Sequence, residues 1–170
     1  MARWRFSDMP VAGCLERGTV APVEAVETPI GTLWLAGDGR RLTRVSFDRL
    51  PEYRCPPDVA RAARAQLGAY FAGELERFEL PLAPAGTRFQ RRVWDAVASI
   101  PYGATASYSE IAGAVGRRSA CRAVGAANGR NPLPIVVPCH RVVGATGALT
   151  GYGGGLTRKR ALLDLERPAG

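Results

Sequence analysis

The chain changes character at Pro84-Ala85-Gly86, and this break limits its possible folds more than any other feature. Before it lie short β-branched or apolar runs, Val23 to Glu27, Thr32 to Ala36 and Leu42 to Phe47. They are separated by Thr28-Pro29-Ile30-Gly31 and Gly37-Asp38-Gly39, both turn chemistries, so the pattern predicts an antiparallel meander. Asp58 then reads as the cap of a helix in which Val59, Ala63, Leu67, Tyr70 and Phe71 recur near helical spacing up to Gly73. Phe78 to Leu82 reads as an edge strand limited by Pro81 and Pro84. After the break the period becomes helical. Thr87-Arg88-Phe89-Gln90 is a capping box, followed by Phe89, Val93, Val97 and Ile100 on one face and a stop at Ile100-Pro101-Tyr102-Gly103. A second box, Ser107-Tyr108-Ser109-Glu110, opens a helix with Tyr108, Ile111, Ala112 and Val115 that ends at Gly116. Ser119 reads as the cap of a third helix, Ala120 to Asn128, built almost wholly of small residues. A last helix, Thr157 to Glu166, is expected to bury Leu156, Leu162, Leu163 and Leu165 and to show Arg158, Lys159 and Arg160 near its start. The expected architecture is an irregular arm over residues 1–20, an α/β module with a small antiparallel sheet over 21–84, and a mostly helical domain over 85–170. That second domain would hold a helix-turn-helix (winged-helix-like) unit.

Charge divides at the same place. Residues 1–84 hold 11 arginines against 11 acidic residues, whereas residues 85–170 hold 11 arginines and Lys159 against 4 acidic residues. The net charge of +8 therefore falls after the break, which points to a polyanion partner of that half, DNA or RNA. Helix, short turn and small-residue helix, with arginines at 117, 118 and 122, outline either a helix-turn-helix or a plain helical hairpin. A small-residue helix suits close approach to a phosphate backbone, because bulky side chains would hold the phosphates away from its N-terminal amides. Cys14, Cys55, Cys121 and Cys139 have neither the CxxC nor the Cys/His spacing of a metal site, so no metal, cofactor or structural disulfide is expected. Met1 to Asp8 has no apolar signal region and no run is long enough to span a bilayer, so the expectation is a cytoplasmic protein with reduced thiols and no membrane contact.

Chemistry concentrates at Pro138-Cys139-His140-Arg141-Val142, where the apolar run Ile135-Val136-Val137 ends and a thiol meets the sole histidine. A cysteine attacks as thiolate, and a free thiol with pKa ~8.5 is mostly protonated at neutral pH, so a reactive one needs a base or positive field. His140 and Arg141 offer both, although sequence neighbours point apart on strand or helix, which leaves room for a water between thiol and imidazole. A buried, inert cysteine closing a core strand is the bland alternative. Asn131-Pro132-Leu133-Pro134 upstream and Gly151-Tyr152-Gly153-Gly154-Gly155 downstream favour a pocket, since rigid and flexible loops flank one point. The glycine run lacks a following Lys-Ser/Thr and is not a phosphate loop.

Asn131-Pro132, then Ile135 to Val142, then Thr150-Gly151-Tyr152-Gly153-Gly154-Gly155-Leu156 and a helix carrying Glu166 together resemble the O6-alkylguanine-DNA alkyltransferase family, with the match running from about Val23 to Glu166. The resemblance implies that a nucleotide of duplex DNA bearing O6-alkylguanine, or O4-alkylthymine, is flipped out of the stack through the minor groove. It further implies that Cys139 takes the alkyl group in one displacement, with His140 removing the thiol proton through a water and Glu166 orienting the imidazole. Asn131 would brace the active-site turn, and Tyr108 would crowd the flipped nucleotide's phosphate and protonate guanine N3. Arg122 would fill the hole in the stack, with Ser107, Tyr108, Arg118, Ala123 and Ala127 also at the DNA. Pro134, Val142, Tyr152, Gly153 and Gly154 would form the pocket wall and its backbone donors, and Arg141 would be structural. The thioether product is not hydrolysed, so one monomeric protein molecule would be consumed per lesion. Some members of that family hold a zinc ion in the first module; here Cys14 and Cys55 have no partners in the sequence for one. The rivals are a non-catalytic binder of alkylated bases, which Cys139 argues against, a Cys-His hydrolase, which would turn over, and a helix-turn-helix regulator, which would prefer one DNA sequence.

Overall fold

A computed structural model of the chain describes Phe6 and residues 24–50 and 54–167. The expected arm therefore lies outside the described residues except for Phe6, as do Cys14 and Val23. The chain divides into one unit over residues 10–85 and a second over 86–170 that also takes the first nine residues.

In the N-terminal unit, alternation sets the sheet: β1 (Glu24–Val26), β2 (Leu33–Asp38) and β3 (Arg41–Ser46) pair antiparallel in the order β1-β2-β3. Val26 pairs with Leu33 and Leu35 with Val45, which places these side chains and Leu42 in the core. The strand β2 runs on through Asp38, past the expected turn at Gly37, because a bulge between Ala36 and Gly37 shifts the register. A Cβ on Gly37 would stand 2.7 Å from the Arg41 carbonyl oxygen, so the bulge requires glycine. Helix α1 (Pro57–Phe71) starts on Pro56 with no side-chain cap. Asp58 is thus not the expected cap; it sits in the first turn, favourable to the helix dipole, and pairs with Arg61. Gly73, at φ 75°, ends the helix as expected. Phe78 to Leu82 does not form the expected edge strand. It contributes one bridge, Leu42 to Leu82, in which the Leu42 amide donates to the Pro81 carbonyl at 2.8 Å; Pro81, with no N–H, cannot extend the ladder.

Both expected capping boxes form in the C-terminal unit. Thr87 and Gln90 cap α2 (Arg88–Ala98), and Ser107 and Glu110 cap α3 (Tyr108–Ala114). Helix α4 (Cys121–Gly129) starts on Ala120 without a side-chain cap, so Ser119 does not play its expected role. Trp94 is buried in the core and its indole Nε1–H donates to the Ala127 carbonyl at 2.9 Å, which ties α2 to α4. Arg92 Nη2 donates to the Val115 carbonyl at 2.6 Å, which ties α2 to the end of α3. The helix-turn-helix α3–α4 is thereby fixed on α2. Two short strands, β4 (Ala106–Ser107) and β5 (Val142–Val143), pair parallel and bring the start of α3 beside the segment after Cys139. Phe6 belongs to this unit: it is buried, and its amide donates to Asp95 Oδ1 on α2 at 2.5 Å.

The last helix, α5 (Leu156–Leu165), departs from expectation on both faces. Leu156 is 49% exposed, Leu163 and Leu165 are half-buried, and Lys159 is fully buried. Gly155, at φ 86°, turns the chain into this helix. No described helix is long and apolar enough to cross a membrane.

Candidate active site

Residues 131–137 form a tight loop rather than a strand. Asn131 closes it from both sides: its Nδ2 donates to the Val137 carbonyl at 2.8 Å, and its Oδ1 accepts from the Leu133 amide at 3.0 Å. The Val137 amide donates to the Leu133 carbonyl at 2.8 Å, and inside this closure Ile135 holds φ 74°, a region costly for a β-branched residue. The loop delivers Cys139, His140 and Arg141 as one 3-10 turn after Pro138. Sequence neighbours thus become members of one rigid turn.

The turn rests on a buried acid. His140 is 0% exposed and its Nε2 lies 2.9 Å from Oε1 of Glu166, itself 1% exposed. Arg141 grips the same carboxylate, Nε to Oε2 at 2.7 Å and Nη2 to Oε1 at 2.9 Å, and its Nη1 donates to the Ile100 carbonyl at 2.7 Å. Arg141 is structural, and it leaves Glu166 charged and fixed. Burial lowers the His140 pKa against the opposing hydrogen bond and charge of Glu166, so the ring is neutral at rest. A carboxylate oxygen only accepts, which puts the imidazole proton on Nε2 and a lone pair on Nδ1, which makes no hydrogen bond to the protein. Nδ1 is thus the ring nitrogen left with a lone pair that can accept a proton.

Cys139 is buried, 6% exposed, and burial pushes its thiol up to about 11. The side chain of Asn131 and the charge of Lys159 pull the other way. The resting state is therefore a thiol that needs a base. Its carbonyl accepts from Asn128 Nδ2 at 3.3 Å and from the Val142 amide.

Lys159 and Asn128 were not singled out as site residues in the sequence. The Lys159 ammonium is sealed inside, donating to the Val142 carbonyl at 2.6 Å and to the Thr150 carbonyl at 2.9 Å, and burial lowers its pKa. A signal existed: a chain with 22 arginines keeps lysine at this one position. A compact point charge fits a narrow slot between two carbonyls where a planar guanidinium does not.

The remaining expected residues divide into three groups. Tyr108, at the start of α3, is half-buried and its Oη accepts from Thr150 Oγ1 at 3.1 Å, while its ring lies 3.7 Å from where a Cβ on Gly125 would be. Tyr152 sits edge-on to His140 with ring centroids 6.5 Å apart, and burial raises its pKa. Val142 is fully buried; its amide donates to the Cys139 carbonyl and its carbonyl accepts from Lys159. Gly154 gives its carbonyl to Arg158 at 3.0 Å, Gly153 is exposed and Pro134 is half-buried. Arg118, Arg122 and Ala123 are exposed on the helix-turn-helix, and Ser107 is engaged in its capping box. Ala127 is a correction: its side chain is buried and its carbonyl accepts from Trp94, whereas Arg122 and Ala123 are exposed. Among the described residues no three His, Cys, Asp or Glu side chains are grouped to hold a metal ion.

Comparison with known proteins covers both units. Residues 23–84 match the model of the 6-O-methylguanine DNA methyltransferase ribonuclease-like domain, and residues 88–168 match that of the 6-O-methylguanine DNA methyltransferase DNA binding domain. The chain is 55% identical over 148 residues to the methylated-DNA--protein-cysteine methyltransferase of Mycolicibacterium paratuberculosis, which covers 84% of this chain and 90% of that one. The protein of the same name from Mycobacterium bovis is 53% identical with the same coverage. The crystal structure of Mycobacterium tuberculosis OGT in complex with DNA superposes with a TM-score of 0.79 at 52% identity, over 85% of this chain and 94% of that one.

Proposed function

Because the chain belongs to the 6-O-methylguanine DNA methyltransferase family, we propose that it repairs duplex DNA by moving the alkyl group of O6-alkylguanine onto Cys139, once per protein molecule. It is a DNA-binding repair enzyme, a methylated-DNA–protein-cysteine methyltransferase. The observation that carries the mechanism is the shared turn: Cys139 and His140 are consecutive in it, and the imidazole is locked on Glu166 so that Nδ1 remains basic. His140 Nδ1 takes the thiol proton through a water. The thiolate pair attacks the alkyl carbon, the carbon–O6 bond breaks, and its electrons pass into the guanine ring, where N3 takes a proton from Tyr108. Lys159 and the Glu166-held imidazolium then offset the charge changes.

The thiol is buried, so the nucleotide must leave the stack to reach it. Arg122, exposed on α4, is placed to enter the minor groove and fill the gap, with Ala123 beside it and Arg118 on the preceding turn meeting the backbone. Ser107 contributes through the N-terminus of α3. Tyr152, Pro134, Gly153 and Gly154 line the base pocket. The protein acts as a monomer in the reducing cytoplasm, where the thiol stays free. A thioether is not cleaved by water, so the protein is spent. Incubation with excess duplex containing one tritium-methylated O6-methylguanine tests this: transfer plateaus at one methyl per protein molecule, whereas continued release of methyl beyond that level would overturn the reading.

A further inference from the structure

Thr150 links two parts of the site that are distant in sequence. Its hydroxyl donates to the Oη of Tyr108 at 3.1 Å, and its carbonyl accepts from the buried Nζ of Lys159 at 2.9 Å. Its third contact is apolar: a Cβ built on Gly144 would lie 3.6 Å from the Thr150 Cγ2 methyl, so that methyl faces the Gly144 turn. The side chain is β-branched, so placing the methyl on one side largely decides where the hydroxyl points. The surrounding loop is internally bonded, Gly144 amide to Ala148 carbonyl at 2.8 Å and Gly147 amide to Gly144 carbonyl at 2.9 Å, which fixes the backbone that carries Thr150.

We propose that Thr150 is a positioning residue for the transfer, holding Tyr108 by its hydroxyl and Lys159 by its carbonyl. This rests on the reading of Tyr108 as the proton donor to the leaving base. A phenol whose oxygen already accepts a hydrogen bond has its own O–H free to point elsewhere, and the bond it accepts stabilises the phenolate that forms as the proton leaves. Thr150 thus directs the Tyr108 proton away from itself. Because its carbonyl is clamped by Lys159, whose other contact is the Val142 carbonyl three residues beyond Cys139, the tyrosine is held in register with the nucleophile's turn. No proton passes through Thr150.

The test is single-turnover methyl transfer from an O6-methylguanine duplex, at saturating DNA, by the wild type, Thr150→Val and Thr150→Ser, each also in a Tyr108→Phe background. Valine keeps the branched shape and loses the hydroxyl; serine keeps the hydroxyl. Loss of one hydrogen bond to the acid predicts a transfer rate constant lower by about fivefold in Thr150→Val. The Kd for the duplex and the thermal midpoint should stay at wild-type values, and Thr150→Ser should recover most of the rate. In the Tyr108→Phe background, Thr150→Val should have no further effect. A wild-type rate in Thr150→Val, or a loss that persists unchanged without the tyrosine hydroxyl, would overturn the proposal while leaving the methyl transfer intact. A wild type that moves no methyl would instead remove the functional reading on which it stands.

Discussion

In the N-terminal unit the ion pairs Arg41–Asp38, Arg61–Asp58 and Arg64–Glu24 lie at or near the surface, over a core of Val26, Leu33, Leu35, Leu42, Leu67 and Tyr70. In the C-terminal unit the polar groups are inside. All six buried polar or charged residues among those described, Arg91, Asn128, His140, Arg141, Lys159 and Glu166, belong to it. A buried ion pair is weak evidence of stabilisation, since desolvation consumes most of its Coulomb gain, whereas removing one partner leaves an uncompensated charge. Four of the six, His140, Arg141, Lys159 and Glu166, gather around the turn that holds Cys139. The first unit has no buried charged side chain among its described residues, which shows that this burial is not needed to make a fold. In the proposed mechanism it orients a base and a cation around one thiol.

The sharpest way to break this contrast is to remove the shared acid. Glu166→Ala strands the His140 ring and the Arg141 guanidinium in the interior and should lower stability by about 3–5 kcal/mol in urea unfolding followed by circular dichroism. A loss under 1 kcal/mol would mean that the cluster is not sealed. Next in size is Lys159→Met, which keeps the aliphatic stem and loses two hydrogen bonds to carbonyls, with an expected cost of about 1–3 kcal/mol. Lys159→Arg should fare no better, because the slot fits a point charge.

The pH dependence is a third test. The Cys139 thiol is raised to about 11 by burial, above its ordinary value, so the native state holds this proton more tightly than the unfolded chain does. Its contribution to stability is therefore present below about pH 8.5 and declines as pH rises towards 11. Labelling of Cys139 by iodoacetamide without DNA should accelerate about tenfold per pH unit between pH 7 and 10. A rate already level at pH 7 would show a resting thiolate. The smallest effect is expected on the other side of the comparison: Arg61→Ala breaks an exposed pair in the N-terminal unit and should change stability by less than about 0.5 kcal/mol.

Local signals carried most of the architecture. The capping boxes at Thr87 and Ser107 are legible because both partners lie within four residues, and the meander because turn residues separate its short apolar runs. Cys139, His140, Glu166 and Asn131 come together as expected around one turn, since the spacing of Asn131 to that turn is short and the resemblance supplied Glu166. The signals failed where a competing contact lies far off in sequence. Lys159 follows Arg158 and precedes Arg160, so it reads as one of a solvated run; carbonyls of Val142 and Thr150 draw it inside. Ala127 reads as one more small residue of the α4 face until Trp94, 33 residues earlier, claims its carbonyl. Ser119 reads as a cap, but the helix begins on Ala120 and leaves it outside. Phe6, in what reads as a featureless arm, is fixed by Asp95.

The measurement that tests the account most directly is mass spectrometry of the intact protein and its peptides after incubation with an O6-methylguanine duplex. One added methyl, located on the Cys139 peptide and absent from Cys139→Ala, is the predicted result. Binding of the duplex with no gain in mass, or a methyl located on Cys121 or Cys55, would contradict the assignment of Cys139, His140 and Glu166.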